Sequence, residues 1–544
     1  MSSSLFYTFF SSLIIGTLLT PIFIVAANHI GLVDRPGHRK VHKEPVARVG
    51  GLAFAMGALI AIGIWGIGHP IMNGIFLGII IIVVVGSLDD YADLQARHKL
   101  FAQFFAAAIT TIYSHLTWQP LSGMVETTFP PWLLAGITMT TLVLLTNAIN
   151  FSDGLDGLAG GLTFLSFGVM AYIAYQINDV VVLFLTLPVM GGLLGFLRFN
   201  TYPARVFMGD SGSQFLGFLM GVVAILLTSQ DRTPFSPLLL LYFAGLPLLD
   251  MIAVTAQRIY ERKSPFQADS QHLHHKLLAI GFSHHQAVLI IYIFQSGMIL
   301  LGYNLRWAPD LLLAGVYLLL LLSIGMFFYF AMSKKLQAGT VKTASADILY
   351  WRTWFRSIPW LSRWCVYGLG IGVFGFLLFG LTIASNIPFE ITASIMGLVL
   401  LLMIGLLFSQ SAISLITRMG LYLGCTFVLY LTQEFLTVNT VNVHVMISVF
   451  FGLLVVLLLL AIHLDETKQF LVNPMDYLLL FLAVVIPFLP DILMGGINLG
   501  LLLARLIILF FCCEVLLQAF ADKVYQFGYL SALILLGIGL QGLL

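Results

Sequence analysis

Apolar runs of about 20 residues recur from one end of the chain to the other, and each is long enough to cross a bilayer as a helix. The composition agrees, because 60% of the 544 residues are hydrophobic, 9% are charged and the mean hydropathy is +1.01. A soluble globular protein is excluded. The sequence therefore predicts an all-α fold, a polytopic bundle of transmembrane helices.

The predicted organisation has three parts. Residues 1–332 should hold about 10 or 11 spans, 333–363 a basic and aromatic cytoplasmic linker at the lipid headgroups, and 364–544 about 6 or 7 further spans. The first run, Leu5–Ala27, is too long for a signal peptide and is expected to stay as a span. The spans predicted in the first part are 5–27, 50–68, 74–88, 100–117, 131–148, 158–176, 180–197, 212–229, 237–257, 284–302 and 310–332.

Lys and Arg are unevenly distributed among the connections. Thirteen lie in 34–48, 89–99, 198–205 and 258–276, whereas the five alternate connections hold two. Because basic loops stay on the cytoplasmic side, the first group is predicted to be cytoplasmic and the amino terminus outside. The net charge of +1 indicates no partner, and no nucleic acid is expected.

The stretch Thr146–Gly160 (TNAINFSDGLDGLAG) follows an apolar run with amides and carboxylates. Asn147, Asn150, Asp153 and Asp156 recur at every third position, so on a helix they would form one polar stripe. Two carboxylates at a membrane boundary repel each other without a cation. The stripe therefore predicts a charged ligand, with a polar helix end that only caps and turns as the alternative.

Two more predicted cytoplasmic connections carry acids. Asp89 and Asp90 form a pair, suited to holding a divalent cation or deprotonating a nucleophile, and Lys99 could screen phosphate charge. Asp210 precedes a span among small residues, where exposed amides would favour an anion and the carboxylate a metal. Capping of that span is the alternative for Asp210.

Imidazoles and cations collect at the same predicted face. His272, His274 and His275 lack the HExxH pattern of a zinc site, and their basic neighbours favour phosphate oxygens as partners. The loop 34–48 could cover a phosphate, although an ordinary basic membrane anchor explains it equally well. Acids that suggest magnesium, together with groups that suggest a diphosphate, predict phosphoryl transfer between a soluble and a lipid substrate.

Other polar residues are given structural roles. Asp250 lies inside the ninth span, where Arg258 is the expected partner. Arg505 and Glu514 are expected to form a buried structural pair in the last part. The histidines at 284 and 285 are interpreted as interfacial.

With these residues in view, the first 330 or so residues resemble the polyprenyl-phosphate N-acetylhexosamine-1-phosphate transferases, the WecA-like group related to the MurNAc-pentapeptide translocase. The resemblance implies transfer of a sugar 1-phosphate from a UDP-HexNAc to undecaprenyl phosphate with release of UMP, dependent on Mg²⁺ or Mn²⁺. It rests on LDD at 88–90, NAINFSDGLDGLAGG at 147–161, VFMGDSGS at 206–213 and SPF-AD-HLHH within 264–275.

Carried over residue by residue, the resemblance implies a set of site residues. Asp89, Asp90, Asp153 and His274 are expected to be catalytic, with Asp89 as the base for the lipid phosphate. Asp210 and Asp153 would ligate the metal. The substrate-binding residues implied are Asn150, Asp156, Phe207, Lys99, His272, His275, His42 and Arg48, with Asp156 and Phe207 at the uridine.

The resemblance also implies a setting, the cytoplasmic face of a bacterial inner membrane and the first step of a cell-surface polysaccharide such as O-antigen. The HLHH form favours a simple amino sugar, with GlcNAc as the first choice, and Ala47 stands where the family usually has a second proline. The last part matches no family motif and is expected to be an accessory membrane domain. A transporter or flippase for a phosphorylated lipid or nucleotide is the alternative function, and a homodimer is left open.

Overall fold

The computed structural model describes residues 2–34, 45–66, 68–120, 129–229, 233–263, 272–338, 359–383, 410–438, 441–464 and 497–542, with 392, 395–397, 399–400, 402–403 and 493–494. The described residues up to 338 form one compact unit, and those from 359 onward form a second. Thirteen helices among the described residues are long and apolar enough to span a membrane. The predicted polytopic helical fold is confirmed, and the chain is a multi-pass membrane protein.

Twelve helices and a two-stranded sheet build the described part of the first unit. The strands β1 (Val33–Asp34) and β2 (Val46–Ala47) are antiparallel. The helices are α1 (Ser2–Ile30), α2 (Gly50–Trp65), α3 (Pro70–Ala92), α4 (Ala96–Tyr113), α5 (Pro131–Ser152), α6 (Leu158–Gln176), α7 (Val180–Asn200), α8 (Gly209–Thr228), α9 (Leu239–Tyr260), α10 (Leu273–Ile280), α11 (His284–Asn304) and α12 (Asp310–Ala338).

Helix α8 lies at the centre of the first unit. It packs against α2, α3, α5, α6, α7 and α9, and every residue from Ser211 to Thr228 is buried. Small residues permit the closest of these approaches, since a Cβ at Gly51 on α2 would lie 2.2 Å from the Gly212 nitrogen of α8. The start of α8, which carries Asp210, is thereby fixed among the ends of its neighbours.

Helix α9 is interrupted, although a continuous span was predicted over 237–257. Gly245 adopts φ 42°, ψ −122°, and Pro247 follows it. The Gln295 side chain satisfies the backbone at this break: its Oε1 accepts the Leu246 N–H at 2.8 Å and its Nε2 donates to the Phe243 carbonyl at 3.3 Å. A broken helix is tolerated at membrane depth when protein groups replace the lost hydrogen bonds in this way.

Five helices are described in the second unit, and they pack around an apolar core. They are α13 (Pro359–Ile383), α14 (Gln410–Val438), α15 (Val441–Leu464), α16 (Leu499–Ala519) and α17 (Val524–Gln541), with a 3₁₀ turn (Ala521–Lys523) and a short hairpin, β3 (Leu493–Met494) and β4 (Ile497–Asn498).

The expected pairing of Arg505 with Glu514 is wrong. Glu514 is bound by Arg418 at 3.3 Å and by the Tyr422 hydroxyl at 2.5 Å, whereas the buried Arg505 donates to the Ser448 Oγ at 3.3 Å. Arg505 and Glu514 are nine residues apart on α16, about two and a half helical turns, so they face opposite sides.

Candidate active site

A cavity of about 900 Å³ opens where helix ends of the first unit meet. Its wall includes the last turns of α3 and α5, the first turn of α8 and the loops beside them. Residues far apart in sequence therefore converge on one space. The predicted site residues that line it are Arg48, Asp89, Asp90, Asn150, Asp153, Asp156, Phe207, Asp210 and His275.

Lys99 links two of the carboxylates. Its Nζ lies 3.0 Å from the Asp210 Oδ2 and also contacts the Asp89 Oδ2. The other Asp210 oxygen accepts a 2.7 Å hydrogen bond from the Asn150 Nδ2, and the Asp89 Oδ1 accepts the Leu94 N–H at 2.8 Å. Asp89 is only 2% exposed, so Lys99 neutralises a carboxylate that water reaches poorly. Positive charge is stabilised at this point of the cavity.

Asp90 organises the start of α8. Its two oxygens accept the backbone N–H groups of Asp210 at 2.8 Å and Ser211 at 3.0 Å. Gly209 makes this approach possible, because its φ is +73° and a Cβ there would lie 2.6 Å from the Asp90 Oδ2. The geometry therefore gives Asp90 a positioning role for Asp210.

The 147–156 stripe does not lie on one helix as predicted. Helix α5 ends at Ser152, and α6 begins at Leu158 after a turn in which Gly157 has φ 77°. Asn147 donates instead to the Gln103 Oε1 at 2.7 Å. The turn between α5 and α6 places Asp153 and Asp156 in the cavity lining.

Asp153 lines the cavity with a carboxylate that has no partner among the described side chains. Its backbone N–H donates to the Asn150 carbonyl at 3.2 Å, but its side chain makes no hydrogen bond or ion pair with another described residue, whereas the Asp156 Oδ2 accepts the Ala204 N–H at 3.0 Å. Burial, and then the charges of Asp210, Asp90 and Asp156, raise the pKa of Asp153 from 3.8 to about 7. Its carboxylate is thus short of positive charge.

These residues fit a hard divalent cation. Within the described ranges, no three His, Cys, Asp or Glu side chains form a ready-made metal cluster. Magnesium sites, however, commonly use one or two carboxylates and complete the shell with water and substrate phosphates. Asp210 and the unpaired Asp153, both lining the cavity, supply such oxygens. The two predicted metal ligands therefore offer the kind of oxygen that Mg²⁺ or Mn²⁺ takes.

The three predicted histidines lie in different surroundings on and before α10. His275 lines the cavity, and His272 is bound to Asp250. His274 is buried against Gly154, and its Nε2 has no hydrogen-bond partner among the described residues. Burial, and then the nearby His275, His272 and His284, lower the pKa of His274 to about 3. His274 is accordingly neutral.

Asp250 does not pair with Arg258 as predicted. Its partners are the His272 Nδ1 at 3.0 Å and the Leu273 N–H at 2.9 Å. Arg258 lies eight residues later on α9, a rise of about 12 Å, which is a long reach for an ion pair.

The described ends of the first basic loop, residues 34 and 45–48, contribute to one side of the cavity. The Phe207 N–H donates to the Ala47 carbonyl at 2.8 Å, and the Gly50 N–H donates to the Phe207 carbonyl at 3.0 Å. Arg48 pairs with Asp34 at 2.5 Å, and both line the cavity. The predicted residue His42 lies outside the described residues.

Sequence reasoning missed several lining residues, including Asp34, Tyr202 and His284. His284, which was interpreted only as interfacial, lies in the cavity wall with its ring 4.5 Å from that of Tyr202. The parity of the predicted spans already placed the start of α11 on the same membrane side as Asp210. That signal could have found His284.

Comparison with known proteins gives the family. The glycosyl transferase family 4 profile matches residues 72–228. A probable undecaprenyl-phosphate N-acetylglucosaminyl 1-phosphate transferase from Bacillus subtilis is 36% identical over 287 residues, which are 52% of this chain and 80% of the relative. The chain belongs to this transferase family.

Other relatives in the family agree. The undecaprenyl-phosphate alpha-N-acetylglucosaminyl 1-phosphate transferase of Yersinia pestis is 29% identical, over 60% of this chain and 90% of its own. The decaprenyl-phosphate N-acetylglucosaminephosphotransferase of Mycobacterium leprae is 32% identical, over 52% of this chain and 78% of its own. The resemblance drawn from the motifs is confirmed, and the transporter alternative is not favoured.

Proposed function

We propose that this protein transfers GlcNAc-1-phosphate from UDP-GlcNAc to undecaprenyl phosphate, giving undecaprenyl-pyrophosphoryl-GlcNAc and UMP. The observation that carries the proposal is the meeting of Asp89, Asp153 and Asp210 in one cavity with Lys99 beside them. Carboxylates and a lysine at membrane helix ends suit a diphosphate substrate and a lipid acceptor. The names of the family relatives supply the substrates.

In the proposed reaction, an oxygen of the lipid phosphate forms a bond to the β-phosphorus of the UDP-sugar. The bond from that phosphorus to the bridging oxygen breaks, and UMP leaves with the electron pair. Asp89 is proposed to accept any proton on the attacking phosphate, and Lys99 to offset charge on the transferred group. A two-step route through a phospho-aspartate has the same overall balance.

Asp210 and Asp153 would hold Mg²⁺ or Mn²⁺. When bound, the ion would neutralise phosphate oxygens during transfer. Asp90 would keep Asp210 at the start of α8, and His275 would donate a hydrogen bond to phosphate. Phe207 would stack on the uracil of the donor.

The cytoplasmic side of a bacterial inner membrane is the proposed location of the cavity. Thirteen Lys and Arg residues lie in the connections on the same side as Asp89 and Asp210, and basic connections stay on the cytoplasmic side of a membrane. The product would start a cell-surface polysaccharide, such as an O-antigen.

The test uses full-length detergent-purified protein with undecaprenyl phosphate, Mg²⁺ and one of several UDP-HexNAc donors. The proposal predicts UMP release that is fastest with UDP-GlcNAc and stops when EDTA is added. Failure to release UMP from any donor would contradict the transferase function. Faster release from another UDP-HexNAc, such as UDP-GalNAc, would contradict only the choice of sugar.

A further inference from the structure

Asp250 is a partly buried acid outside the cavity lining. It lies within the membrane-spanning helix α9, five residues after the Gly245 break, and its side chain is 11% exposed. A carboxylate at membrane depth carries a large desolvation cost unless it is paired or hydrogen bonded. Its partners therefore indicate what it does.

Both oxygens of Asp250 are used on the segment that carries the histidines. Oδ1 accepts the Leu273 N–H at 2.9 Å, which satisfies the first helical amide of α10. Oδ2 lies 3.0 Å from the Nδ1 of His272, whose side chain is 10% exposed. One carboxylate thus holds both the helix start and an imidazole ring.

The contact with the Asp250 carboxylate indicates which ring nitrogen of His272 is the hydrogen-bond donor. An ionised carboxylate can only accept hydrogen bonds, so Nδ1 must be the donor to Asp250. The second nitrogen, Nε2, is then the one left for other partners. Carboxylates orient catalytic and ligating histidines in this way in many enzymes.

The position of α10 matters for the cavity. The His272 ring lies 5.6 Å from that of Phe151, and His274 packs against Gly154. The histidine segment therefore contacts the chain both before and after Asp153. His275, whose ring is 4.2 Å from that of His274, lines the cavity. A shift of α10 would therefore move groups at the reaction site.

From these contacts we propose that Asp250 is a positioning residue for the transferase reaction. It fixes the ring orientation and tautomer of His272 and the start of α10, and it acts on the substrate through those groups. The inference rests on the proposed function, because its kinetic test needs UMP release by the wild-type protein.

Two substitutions separate the parts of this role. In Asp250→Asn, the amide oxygen can still accept the Leu273 N–H, but the amide can present oxygen or nitrogen to His272 and no longer fixes the tautomer. Asp250→Ala removes both contacts. The matched control is Asp179→Asn, because Asp179 also caps a helix, accepting the Val182 N–H at 3.2 Å at the start of α7.

The kinetic experiment measures kcat/KM for UDP-GlcNAc with the full chain in nanodiscs. Asp250→Asn should lower kcat/KM by about 10- to 100-fold, the size usual for losing a partner behind a functional histidine. The melting temperature should stay near the wild-type value, and Asp179→Asn should keep wild-type kinetics. Asp250→Ala should lower both kcat/KM and the melting temperature.

A double-mutant cycle tests whether Asp250 acts through His272. In a His272→Gln background, Asp250→Asn should add less than about a twofold loss, since its target is gone. Full loss in both backgrounds, or wild-type kcat/KM in Asp250→Asn, would overturn the inference. A wild-type protein that releases no UMP would instead contradict the proposed function.

A spectroscopic measurement decides the matter independently of activity. With ¹⁵N-labelled histidine, the His272 signals, identified by their loss in His272→Gln, should show a protonated Nδ1 in the wild-type protein. Those signals should change in Asp250→Asn and not in Asp179→Asn. An unprotonated Nδ1 in the wild type, or unchanged signals in Asp250→Asn, would overturn the inference.

Discussion

Asp89 and Asp210 of the first unit lie at helix ends around a cavity, whereas Glu514 of the second unit lies within a helix and is bound by residues of a neighbouring helix. Asp89 and Asp210 share Lys99 and line an open space, while Glu514 is held by Arg418 and Tyr422. The first arrangement leaves charge within reach of a substrate, and the second uses it to join helices. The position of a charge along its helix therefore separates a site from a structural contact.

The largest expected effect is at Asp210. Asp210→Asn keeps the side-chain size but removes the charge that faces Lys99 and the proposed cation. Loss of several kcal/mol of transition-state stabilisation corresponds to about a 10³-fold lower rate of UMP release. Activity within tenfold of wild type would show that the carboxylate cluster is not the reaction site.

Lys99 should rank next. Lys99→Gln leaves Asp89 and Asp210 without the cation between them and removes a positive charge from the proposed phosphate site. We expect kcat/KM for UMP release to fall by about 10²-fold. Lys99→Arg, which keeps the charge, is the control and should retain more activity than Lys99→Gln.

Gly154 tests the packing of the histidine segment. A Cβ at Gly154 would lie 2.1 Å from the His274 Nε2, and that ring is 3% exposed and has little room to move. Gly154→Ala should lower kcat/KM by about tenfold. Gly136→Ala is the matched control, since a Cβ there meets nothing within 4 Å. Equal activity in the two variants would contradict this account.

The raised pKa of Asp153 predicts how stability depends on pH without metal. Between pH 3.8 and about 7 the unfolded carboxyl has ionised while the folded one stays protonated, so rising pH destabilises the folded protein. The upper bound is about 4 kcal/mol, and partial exposure lowers it. In EDTA at pH 7.5, Asp153→Asn should therefore melt above wild type, and the difference should shrink at pH 5.

An Asp153→Asn protein that melts below wild type at both pH values would contradict that electrostatic picture. Added Mg²⁺ should stabilise wild type more than Asp153→Asn, because a bound cation offsets the repulsion among the carboxylates. Circular dichroism melts of the detergent-purified protein provide both measurements.

The smallest expected effect on catalysis is at Glu514. Glu514→Gln weakens the contacts to Arg418 and Tyr422 and should destabilise the second unit by about 1 to 3 kcal/mol. Its kcat/KM for UMP release should stay at the wild-type value. A fall in kcat/KM as large as that expected for Asp210→Asn would contradict the assignment of Glu514 to a structural contact.

The sequence predicted the helices well because the apolar runs and the bilayer thickness leave little choice. Each of the eleven spans predicted in the first part corresponds to a helix, although α2 has 16 residues and α9 breaks at Gly245. The break depends on Gln295, a contact between distant helices that hydropathy cannot show. The predicted helical stripe over 147–156 was wrong because helical periodicity was extended through the glycines at 154 and 157, whereas α5 ends at Ser152.

The candidate site was partly predictable from the distribution of Lys and Arg among the connections. Charge alternation placed Asp89, Asp153 and Asp210 on one membrane side, and the structure places them around one cavity. Individual partners were not predictable, as the roles of Asp250 and His284 show. Those partners depend on how α10 and α11 pack, and sequence spacing gives no information on contacts between separate helices.

The central claim is that the β-phosphate of the sugar nucleotide moves to the lipid. Full-length protein supplied with undecaprenyl phosphate, Mg²⁺ and UDP-GlcNAc labelled with ³²P at the β-position tests it directly. The account predicts that the label enters the lipid fraction while unlabelled UMP is released. Label that stays in nucleotide, as released UDP or as intact UDP-GlcNAc, would contradict it.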